Sequence, residues 1–293
     1  MKYGVIDIGS NSVRLMVSDG VKTQYKILKS TRLAEGLGDD KILKPNSIER
    51  TIIAIKEFCD KAKDEKFDKL FVFATAAVRQ ANNKAEFLKL VKDYCGVDID
   101  IVSGEKEAKI GLFGALNGKD GGIVDIGGAS TEIAVVDNSK IIYAKSVNIG
   151  AVSLTDLCAQ NRVLAEEVVR ERIKEFSGQL KCEFYSIGGT ATTVGAINQE
   201  LEVYSPDKID GYILSIKDLE FLTDKLYNLS IKERKNIKGL QPERAKVIAN
   251  GCLILLEVMR YLKLETIKIS DKDNLEGYLM DKLVLLWAER QIF

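Results

Sequence analysis

Two stretches of the chain carry the same pattern of hydrophobic and polar positions. They are GVIDIGSNSVRLMVSDG at residues 4–20 and GIVDIGGASTEIAVVDN at residues 122–138. In each, an apolar run interrupted by one aspartate leads through a glycine- and serine-rich turn into a second apolar run, which predicts a β-hairpin. Asp125 follows Asp7 by 118 residues, and the glycines and serines of the two turns keep the same spacing. The pattern therefore predicts a duplicated unit.

The elements after each hairpin follow the same order. In the first half the pattern predicts a strand at 24–33, a helix at 47–63, a strand at 70–78, a helix at 85–95, a strand at 97–102 and a helix at 105–116. In the second half it predicts a strand at 140–150, a helix through 164–176, a strand at 183–189, a helix at 190–201, a helix from Pro242 to about Leu262, a strand at 266–270 and a closing helix to Phe293. Strands that alternate with helices in this way predict an α/β fold.

A short polar segment separates the two halves. NGKDGG at 117–122 combines glycines with polar residues, so we expect domains at 1–119 and 120–293 with a cleft between them. The closing helix carries an apolar stripe, which leaves two uses open: contact in a homodimer, or packing back onto the first domain. The stripe consists of Leu279, Leu283, Leu286 and Trp287.

Composition excludes several classes of function. Lys plus Arg and Asp plus Glu both number 43, so no overall field attracts nucleic acid or an anionic membrane. The five cysteines have no CxxC spacing, which argues against a disulfide framework or a zinc site and favours a reducing cytoplasm. Neither a signal peptide nor an apolar run long enough for a membrane span is visible. The chain has no histidine, so any proton transfer near neutral pH falls to a carboxylate, Lys, Tyr, Cys or metal-bound water.

The repeated turn suggests a chemistry. Two D-I-G-x-x-S turns brought face to face by a pseudo-twofold axis can line a cleft with backbone N–H groups and hydroxyls that bind phosphate oxygens. The aspartates can then hold a divalent ion or position a water. One such turn alone is weak evidence, but two turns in matched register favour a shared site.

Several motifs resemble those of the exopolyphosphatase and guanosine pentaphosphate phosphohydrolase (Ppx/GppA) family. The similarity covers nearly the whole chain and rests on DIGSNSVRL at 7–15, RLAEGL at 32–37, ATAAVRQANN at 74–83, SGEKEA at 103–108, DIGGASTE at 125–132, SIGGTATTVGAI from 186, GLQPERAKVI from 239 and SDKDNLEG from 270. The resemblance implies two duplicated actin-like, sugar-kinase-like (ribonuclease H-like) ATPase domains with an interdomain cleft. Only these two domains are expected, without the helical extension of long family members.

The resemblance also implies roles for individual residues. Glu107 would be the general base that takes a proton from the attacking water, Arg79 would neutralise the phosphate, and Glu132 would orient water. Mg²⁺ would be held by Asp125, Glu132 and Asp7. Phosphate-binding groups would come from Ser10, Asn11, Ser12, Gly127, Gly128, Ser130, Gly188, Gly189 and Thr190.

Glu107 and Arg79 also have plain structural explanations. An acid in the first turn of a helix favours the helix dipole, but a capping box begun by Ser103 needs its acid at position 106, where the chain has Lys106. Glu105 by itself provides the negative charge that favours the helix dipole. Glu107 is therefore not needed for that purpose, which favours a catalytic role for it. Arg79 could instead form a salt bridge where a strand meets a helix.

Three positions depart from the family pattern, and one segment is locally basic. The departures are Ala129 in the second turn, Asp210 before GY, and Leu275 at an arginine position. Residues 232–246, KERKNIKGLQPERAK, contain six Lys or Arg and two Glu. That segment predicts either a polyanion track or a solvated surface.

The leading hypothesis is a cytoplasmic, Mg²⁺-dependent phosphohydrolase that releases terminal phosphate from polyphosphate or guanosine pentaphosphate, forms a homodimer, and has no nucleic-acid or membrane partner. Two alternatives remain: a sensor of the same fold that binds a nucleotide or alarmone without turnover, and an ATP-dependent kinase for a small molecule. The sequence does not rank the two substrates.

Overall fold

The structure, a computed structural model, describes residues 1–38, 40–178 and 180–290, with side chains through residue 284. Its first sheet has the order β3-β2-β1-β4-β5, formed by β1 (Tyr3–Ile8), β2 (Ser12–Ser18), β3 (Thr23–Ser30), β4 (Lys69–Ala74) and β5 (Asp100–Ile101). The helices of this half are α1 (Pro45–Asp64), α2 (Ala76–Gln80), α3 (Lys84–Cys95) and α4 (Gly104–Leu116).

The second sheet has the order β10-β11-β9-β6-β7-β8. Its strands are β6 (Gly121–Ile126), β7 (Thr131–Asp137), β8 (Lys140–Val147), β9 (Phe184–Ile187), β10 (Ile213–Ser215) and β11 (Thr266–Ile269). The helices are α5 (Ala151–Cys158), α6 (Arg162–Ile173), α7 (Gly188–Asn198), α8 (Pro206–Ile209), α9 (Ile216–Asn228), α10 (Ile231–Arg234), α11 (Ile248–Leu262) and α12 (Asn274–Arg290), with a 3₁₀ turn at Pro242–Arg244.

The two sheets share one topology. In each, three consecutive strands form an antiparallel meander whose first strand also pairs in parallel with the fourth. Asp7 lies opposite Arg14 across the first hairpin, and Asp125 lies opposite Glu132 across the second. The repeat predicted from the sequence is therefore present in strand order and in register.

Apart from α4 and α12, the long helices of each half pack against the sheet of the same half. Apolar residues of β1 and β2 pack with α1 and α3, while the larger core of the second half joins β6 and β7 to α5, α6, α7, α9 and α11. On α1 the buried positions recur at helical spacing from Ile48 to Phe58, which fixes the face that meets the sheet.

The last helix of each half packs on the sheet of the other half. On α4, Ala108, Leu112 and Leu116 pack against the second sheet. On α12, Leu275, Tyr278 and Leu279 pack against the first sheet, and Leu283 joins them. The domain boundary at 119/120 stays a prediction, as does the homodimer, and the side chains of Leu286 and Trp287 lie outside the described residues.

Some element predictions were wrong. The strand expected at 70–78 ends at Ala74, and Ala76 begins the short α2. Both pieces are buried, so the apolar run alone could not separate strand from helix. Pro242 begins only a 3₁₀ turn, and α11 starts at Ile248. The elements α5, α8, β10, α9 and α10 were not predicted as separate elements. Among the described residues, no helix is long and apolar enough to cross a membrane.

Candidate active site

The two predicted turns close in the same way and touch each other. The Gly9 amide donates to the Ser12 carbonyl, and the Gly127 amide donates to the Ser130 carbonyl, each at 3.0 Å. A methyl group on Gly128 would lie 2.5 Å from the Cβ of Ser10, so only glycine lets the turns approach this closely. Between them lies a cavity of about 90 Å³, called the deep cavity below.

The deep cavity collects most of the predicted site residues from both halves. The predicted residues that line it are Asp7, Ser10, Asn11, Ser12, Glu107, Asp125, Gly127, Gly128, Ser130, Gly188, Gly189 and Thr190. Arg79 and Glu132 do not line it. The fold thus brings together residues that are up to 183 positions apart in the chain.

Carboxylates are concentrated at this cavity. Asp7, Glu107 and Asp125 line it, and all three side chains are buried. Burial raises the pKa of Asp7, although Arg14 opposes the shift. Burial, followed by repulsion from Glu107 and Asp273, raises the pKa of Asp125 to about 8. Negative charge is therefore unfavourable here until a cation offsets it.

Glu107 is positioned by the first turn of α4. The Ser103 side chain caps this helix by accepting from the Lys106 amide, and the Glu107 amide donates to the Ser103 carbonyl at 2.8 Å. The Glu107 carboxylate extends into the deep cavity. Burial raises its pKa, against the opposing effect of Arg79. A buried carboxylate with a raised pKa next to a small polar cavity is suited to accept a proton.

Arg79 contacts Glu107 instead of lining the deep cavity. Its Nη1 donates to a Glu107 carboxylate oxygen at 2.8 Å and to the Val102 carbonyl at 2.9 Å. The rest of Arg79 lines a separate opening beside Gly104 and Ser146. The ion pair considered as the structural alternative is therefore present, and the contact of Arg79 with phosphate stays a prediction.

Glu132 lies behind Asp125 and is almost fully buried. One of its oxygens accepts a hydrogen bond from the Ser146 hydroxyl at 2.5 Å, and the other has no hydrogen-bond partner in the part of the chain that the structure describes. Burial, with repulsion from Glu107 and Asp125, raises the pKa of Glu132 well above its usual range. Its position fits a group that acts on the cavity through Asp125.

The predicted Mg²⁺ ligands are oxygen donors, which suit a hard cation, but they do not surround a metal position by themselves. Among the described residues, no three Asp, Glu, Cys or His side chains are close enough to hold a metal by themselves. However, within residues 1–38, 40–178 and 180–284, Oδ1 of Asp7 and Oε2 of Glu132 are buried without hydrogen-bond partners, as is Oδ1 of Asn274. Oxygen ligands and few protein contacts are what Mg²⁺ prefers when substrate phosphates complete its shell.

Four lining residues with polar side chains were missed by the sequence reasoning. Thr75, Arg14, Arg244 and Asn274 all line the deep cavity. The Asn274 side-chain amide donates to Asp125 at 2.9 Å. All four occur inside motifs that the family resemblance had singled out, so the signal was present, but their contacts depend on the tertiary structure.

Arg14 and Arg244 place two cations at the cavity with different surroundings. Arg14 pairs with Asp7 and with Asp273. Burial opposes ionisation of Asp273, but Arg14 and Lys26 outweigh it and lower the Asp273 pKa. Arg244 packs over Gly189, where a methyl group would lie 2.7 Å from its guanidinium carbon.

No carboxylate lies within ion-pair distance of Arg244 among the described residues, and its Nε donates to Gln241 at 3.2 Å. Burial, together with repulsion from Arg14, lowers the Arg244 pKa to about 10. Arg244 is therefore a buried cation that an anionic ligand would neutralise.

The three departures from the family pattern have separate locations. Ala129 is buried and has a negative φ, so its methyl group causes no backbone strain in the turn. Leu275 is fully buried in the contact between α12 and the first sheet. Asp210 accepts hydrogen bonds from the Ser270 hydroxyl and the Asp271 amide.

Comparisons with known proteins agree with this arrangement. The sequence matches the profile of the Ppx/GppA phosphatase family over residues 13–285. It is 35% identical over 308 residues to a bifunctional 3-dehydroquinate synthase/phosphatase of Fusobacterium nucleatum, a match that covers 94% of this chain and 46% of that protein. The chain thus spans about half the length of this curated relative.

Solved structures extend the comparison. An exopolyphosphatase-like protein superposes with a TM-score of 0.91 at 25% identity, covering 98% of this chain and 100% of that one. A Ppx/GppA family member from Aquifex aeolicus gives 0.79 at 27% identity, covering 97% and 98%. These similarities confirm the predicted α/β fold class, which contains two sheets of the same topology. The chain belongs to the Ppx/GppA phosphatase family.

Proposed function

We propose that this chain is a Mg²⁺-dependent phosphohydrolase that releases the terminal phosphate of a phosphoanhydride, with polyphosphate and guanosine pentaphosphate as the first substrates to test. One observation carries the proposal: two glycine turns, buried carboxylates and Arg244, which has no carboxylate partner among the described residues, surround a single small cavity. Membership of a phosphatase family supports the same reaction class.

In the proposed mechanism, the amides and hydroxyls of the two turns bind the oxygens of the terminal phosphate. Arg244 neutralises phosphate charge, and Glu107 accepts a proton from the attacking water. The ion pair with Arg79 holds the Glu107 carboxylate in place. Asp7 and Asp125 would hold Mg²⁺ with support from Glu132, and the bound ion would supply positive charge to the phosphate oxygens.

The test is Mg²⁺-dependent phosphate release from both substrates by the wild-type protein and by Glu107→Gln. The introduced glutamine would keep an acceptor for Arg79 but lose the basic carboxylate, so turnover should fall by about 10² to 10⁴ while substrate binding persists. Glu105→Gln is the matched control, because Glu105 belongs to the same helical turn, is exposed and pairs only with Lys109 among the described residues.

Undiminished turnover in Glu107→Gln would remove the general base from the mechanism. Absence of phosphate release by the wild type, with nucleotide still bound, would favour the sensor.

A further inference from the structure

The two aspartates of the deep cavity are held in the same way. On Asp7, Oδ2 accepts hydrogen bonds from Nε and Nη2 of Arg14, at 3.1 and 2.5 Å. On Asp125, Oδ2 accepts a hydrogen bond from the side-chain amide of Asn274 at 2.9 Å. In each carboxylate, one oxygen is therefore fixed by a neighbouring side chain.

The other oxygen of each aspartate has no such partner among the described residues. Oδ1 of Asp7 is buried and accepts no hydrogen bond from them. Oδ1 of Asp125 lies beside Gly188, where a methyl group would approach it to 2.5 Å, so the glycine leaves this oxygen uncovered. Both aspartates line the deep cavity. A buried carboxylate oxygen without a donor is unfavourable until a ligand supplies positive charge.

Two consecutive residues at the start of α12 reach both of these arrangements. The remaining Arg14 nitrogen, Nη1, donates to Oδ2 of Asp273. Oδ1 of Asp273 accepts a hydrogen bond from the Leu275 amide at 3.0 Å, which fixes that side chain on the first turn of the helix. The next residue, Asn274, donates to Asp125 directly. One helix end thus contacts the ligand-bearing groups of both hairpins.

The start of α12 is itself located by close contact with α4. A methyl group on Gly114 would lie 2.0 Å from the Asp273 carbonyl oxygen, and one on Gly111 would lie 2.9 Å from Oδ1 of Asn274. Both glycines belong to α4, the helix that carries Glu107 in its first turn. Asn274 is therefore fixed against the same helix that positions the proposed general base.

Asn274 keeps an unfavourable atom in this position. Its Oδ1 is buried beside Gly111 and has no hydrogen-bond partner among the described residues. A leucine has the same number of heavy side-chain atoms and would bury no unpaired polar atom of its own. Stability alone therefore does not explain an asparagine here, whereas its hydrogen bond to Asp125 does.

We infer that Asn274 is a positioning residue of the proposed Mg²⁺ site: its amide fixes Oδ2 of Asp125 and leaves Oδ1 as the oxygen available to the ion. Arg14 has the equivalent place on Asp7. This inference rests on the proposed function, which assigns the two aspartates to Mg²⁺. It adds that metal affinity depends on the start of α12, because side chains that orient ligating carboxylates contribute to metal binding.

The experiment measures the Kd for Mn²⁺ by electron paramagnetic resonance, without substrate and with Mg²⁺ as competitor. Mn²⁺ takes the same oxygen ligands as Mg²⁺. In Asn274→Leu and in Asn274→Ala the Kd should rise by about tenfold or more, because the Asp125 carboxylate loses its donor and can rotate. The same variants should need more Mg²⁺ for half-maximal turnover, while KM for substrate at saturating Mg²⁺ changes less.

Tyr278→Phe is the matched control. Tyr278 lies one turn further along α12, is buried and donates to Asp100 at 2.8 Å, but it does not line the deep cavity. The phenylalanine removes one hydrogen bond of the same helix. It should therefore lower the urea midpoint in EDTA and leave the Kd for Mn²⁺ unchanged. A purely structural role for Asn274 would give this same pair of results.

A rise of less than about tenfold in both Asn274 variants would overturn the inference, as would an equal rise in Tyr278→Phe. Absence of Mn²⁺ binding by the wild type would overturn it as well. If the wild type binds Mn²⁺ and the variants bind it more weakly, but no phosphate is released, the positioning role stands and the proposed function fails. The alanine cannot overpack the space beside Gly111, so Asn274→Ala decides if the leucine variant does not fold.

Discussion

Each buried acid of the deep cavity opposes folding when it is ionised. A site that uses these acids explains why the fold places them together. Asp7 and Asp125 occupy equivalent positions of the two hairpins, but their cross-strand partners differ, Arg14 in one and Glu132 in the other. The first hairpin neutralises its aspartate, whereas the second adds another acid. The duplicated unit has therefore become asymmetric in charge while keeping its backbone geometry.

This charge predicts how stability depends on pH in the metal-free protein. Asp125 has a native pKa of about 8 against 3.8 for an ordinary aspartate, so the native state binds its proton more tightly than the unfolded state does. The free energy of unfolding should fall as pH rises from about 4 through 8, by a few kcal/mol. Urea denaturation in EDTA at pH 5 and pH 8 measures this. In Asp125→Asn, the free energy of unfolding should differ less between pH 5 and pH 8. An equally large fall in that variant would contradict the assignment of the pH dependence to Asp125.

Arg244 permits a prediction that separates function from stability. Replacing it with Gln would remove the proposed charge-assisted contact to phosphate, worth about 1.5 to 3 kcal/mol, so KM should rise by about tenfold to a hundredfold. The free energy of unfolding should stay level or increase, because the buried Arg244 charge has no carboxylate partner among the described residues and therefore opposes folding. Steady-state kinetics and urea unfolding of the same preparation test both halves of this expectation. Lower stability with an unchanged KM would indicate a purely structural residue.

Sequence reasoning reached most residues of the deep cavity because they lie in turns with a recognisable composition. It missed Arg14, Arg244 and Asn274 because their surroundings at the cavity depend on the fold: Arg14 also pairs with Asp273, and Arg244 packs over Gly189. Asn274 matters because its amide meets Asp125, which lies 149 positions earlier. Arg79 shows the converse, since its motif was recognised but its contact with Glu107 depends on how α2 and α4 meet.

At the scale of elements, the central feature is the crossing of α4 and α12 between the two sheets. The backbones are close enough that a methyl group on Gly277 would overlap the Ile110 carbonyl and lie 2.9 Å from the Gly114 nitrogen. A methyl group on Gly114 would similarly overlap the Asp273 carbonyl. Neither contact can be relieved by a side-chain rotation, because the opposing atoms belong to backbone.

Gly277→Ala should therefore destabilise the protein by about 3 kcal/mol or more, at or above the upper end of ordinary overpacking. Gly195→Ala is the control, because a methyl group there, inside α7, meets the end of the Ile269 side chain at 3.0 Å, which can move. Thermal or urea unfolding compares the two. If Gly277→Ala and Gly195→Ala are equally stable, α4 and α12 can move apart without lowering the free energy of unfolding.

The hydrophobic pattern predicted some secondary-structure elements correctly and misplaced others. The hairpins and the long helix α1 were predicted because their buried positions follow one clear period. The segment after Ala74 was misassigned since Thr75 breaks the strand inside an apolar run. The start of α11 was misplaced because Pro242 opens a 3₁₀ turn that holds Arg244 at the cavity before the helix begins.

At the scale of the whole molecule, the exchanged helices join the two halves into one folding unit. A fragment ending at residue 119 would lack α12 and expose Val5, Met16 and Phe73, while its own α4 would lose the second sheet. We expect this fragment not to fold alone, and we expect the full chain to unfold in a single transition.

Circular dichroism of the 1–119 fragment, and unfolding of the full chain followed by two probes, test these expectations. Mixing the fragment with residues 120–293 should restore native-like spectra, because the missing helix is then supplied from outside. A cooperative unfolding transition of the isolated fragment would refute them.

The crossing of α4 and α12 also bears on how such a chain could arise. A protein half this length, with the strand order of one sheet and a final helix leaving it, would have no helix to cover its own inner face. Two copies could cover each other by trading that helix, which is domain swapping between identical subunits. Fusion of the two copies would then turn an intermolecular swap into the intramolecular one, and the glycines at the crossing would preserve the former dimer axis inside a single chain.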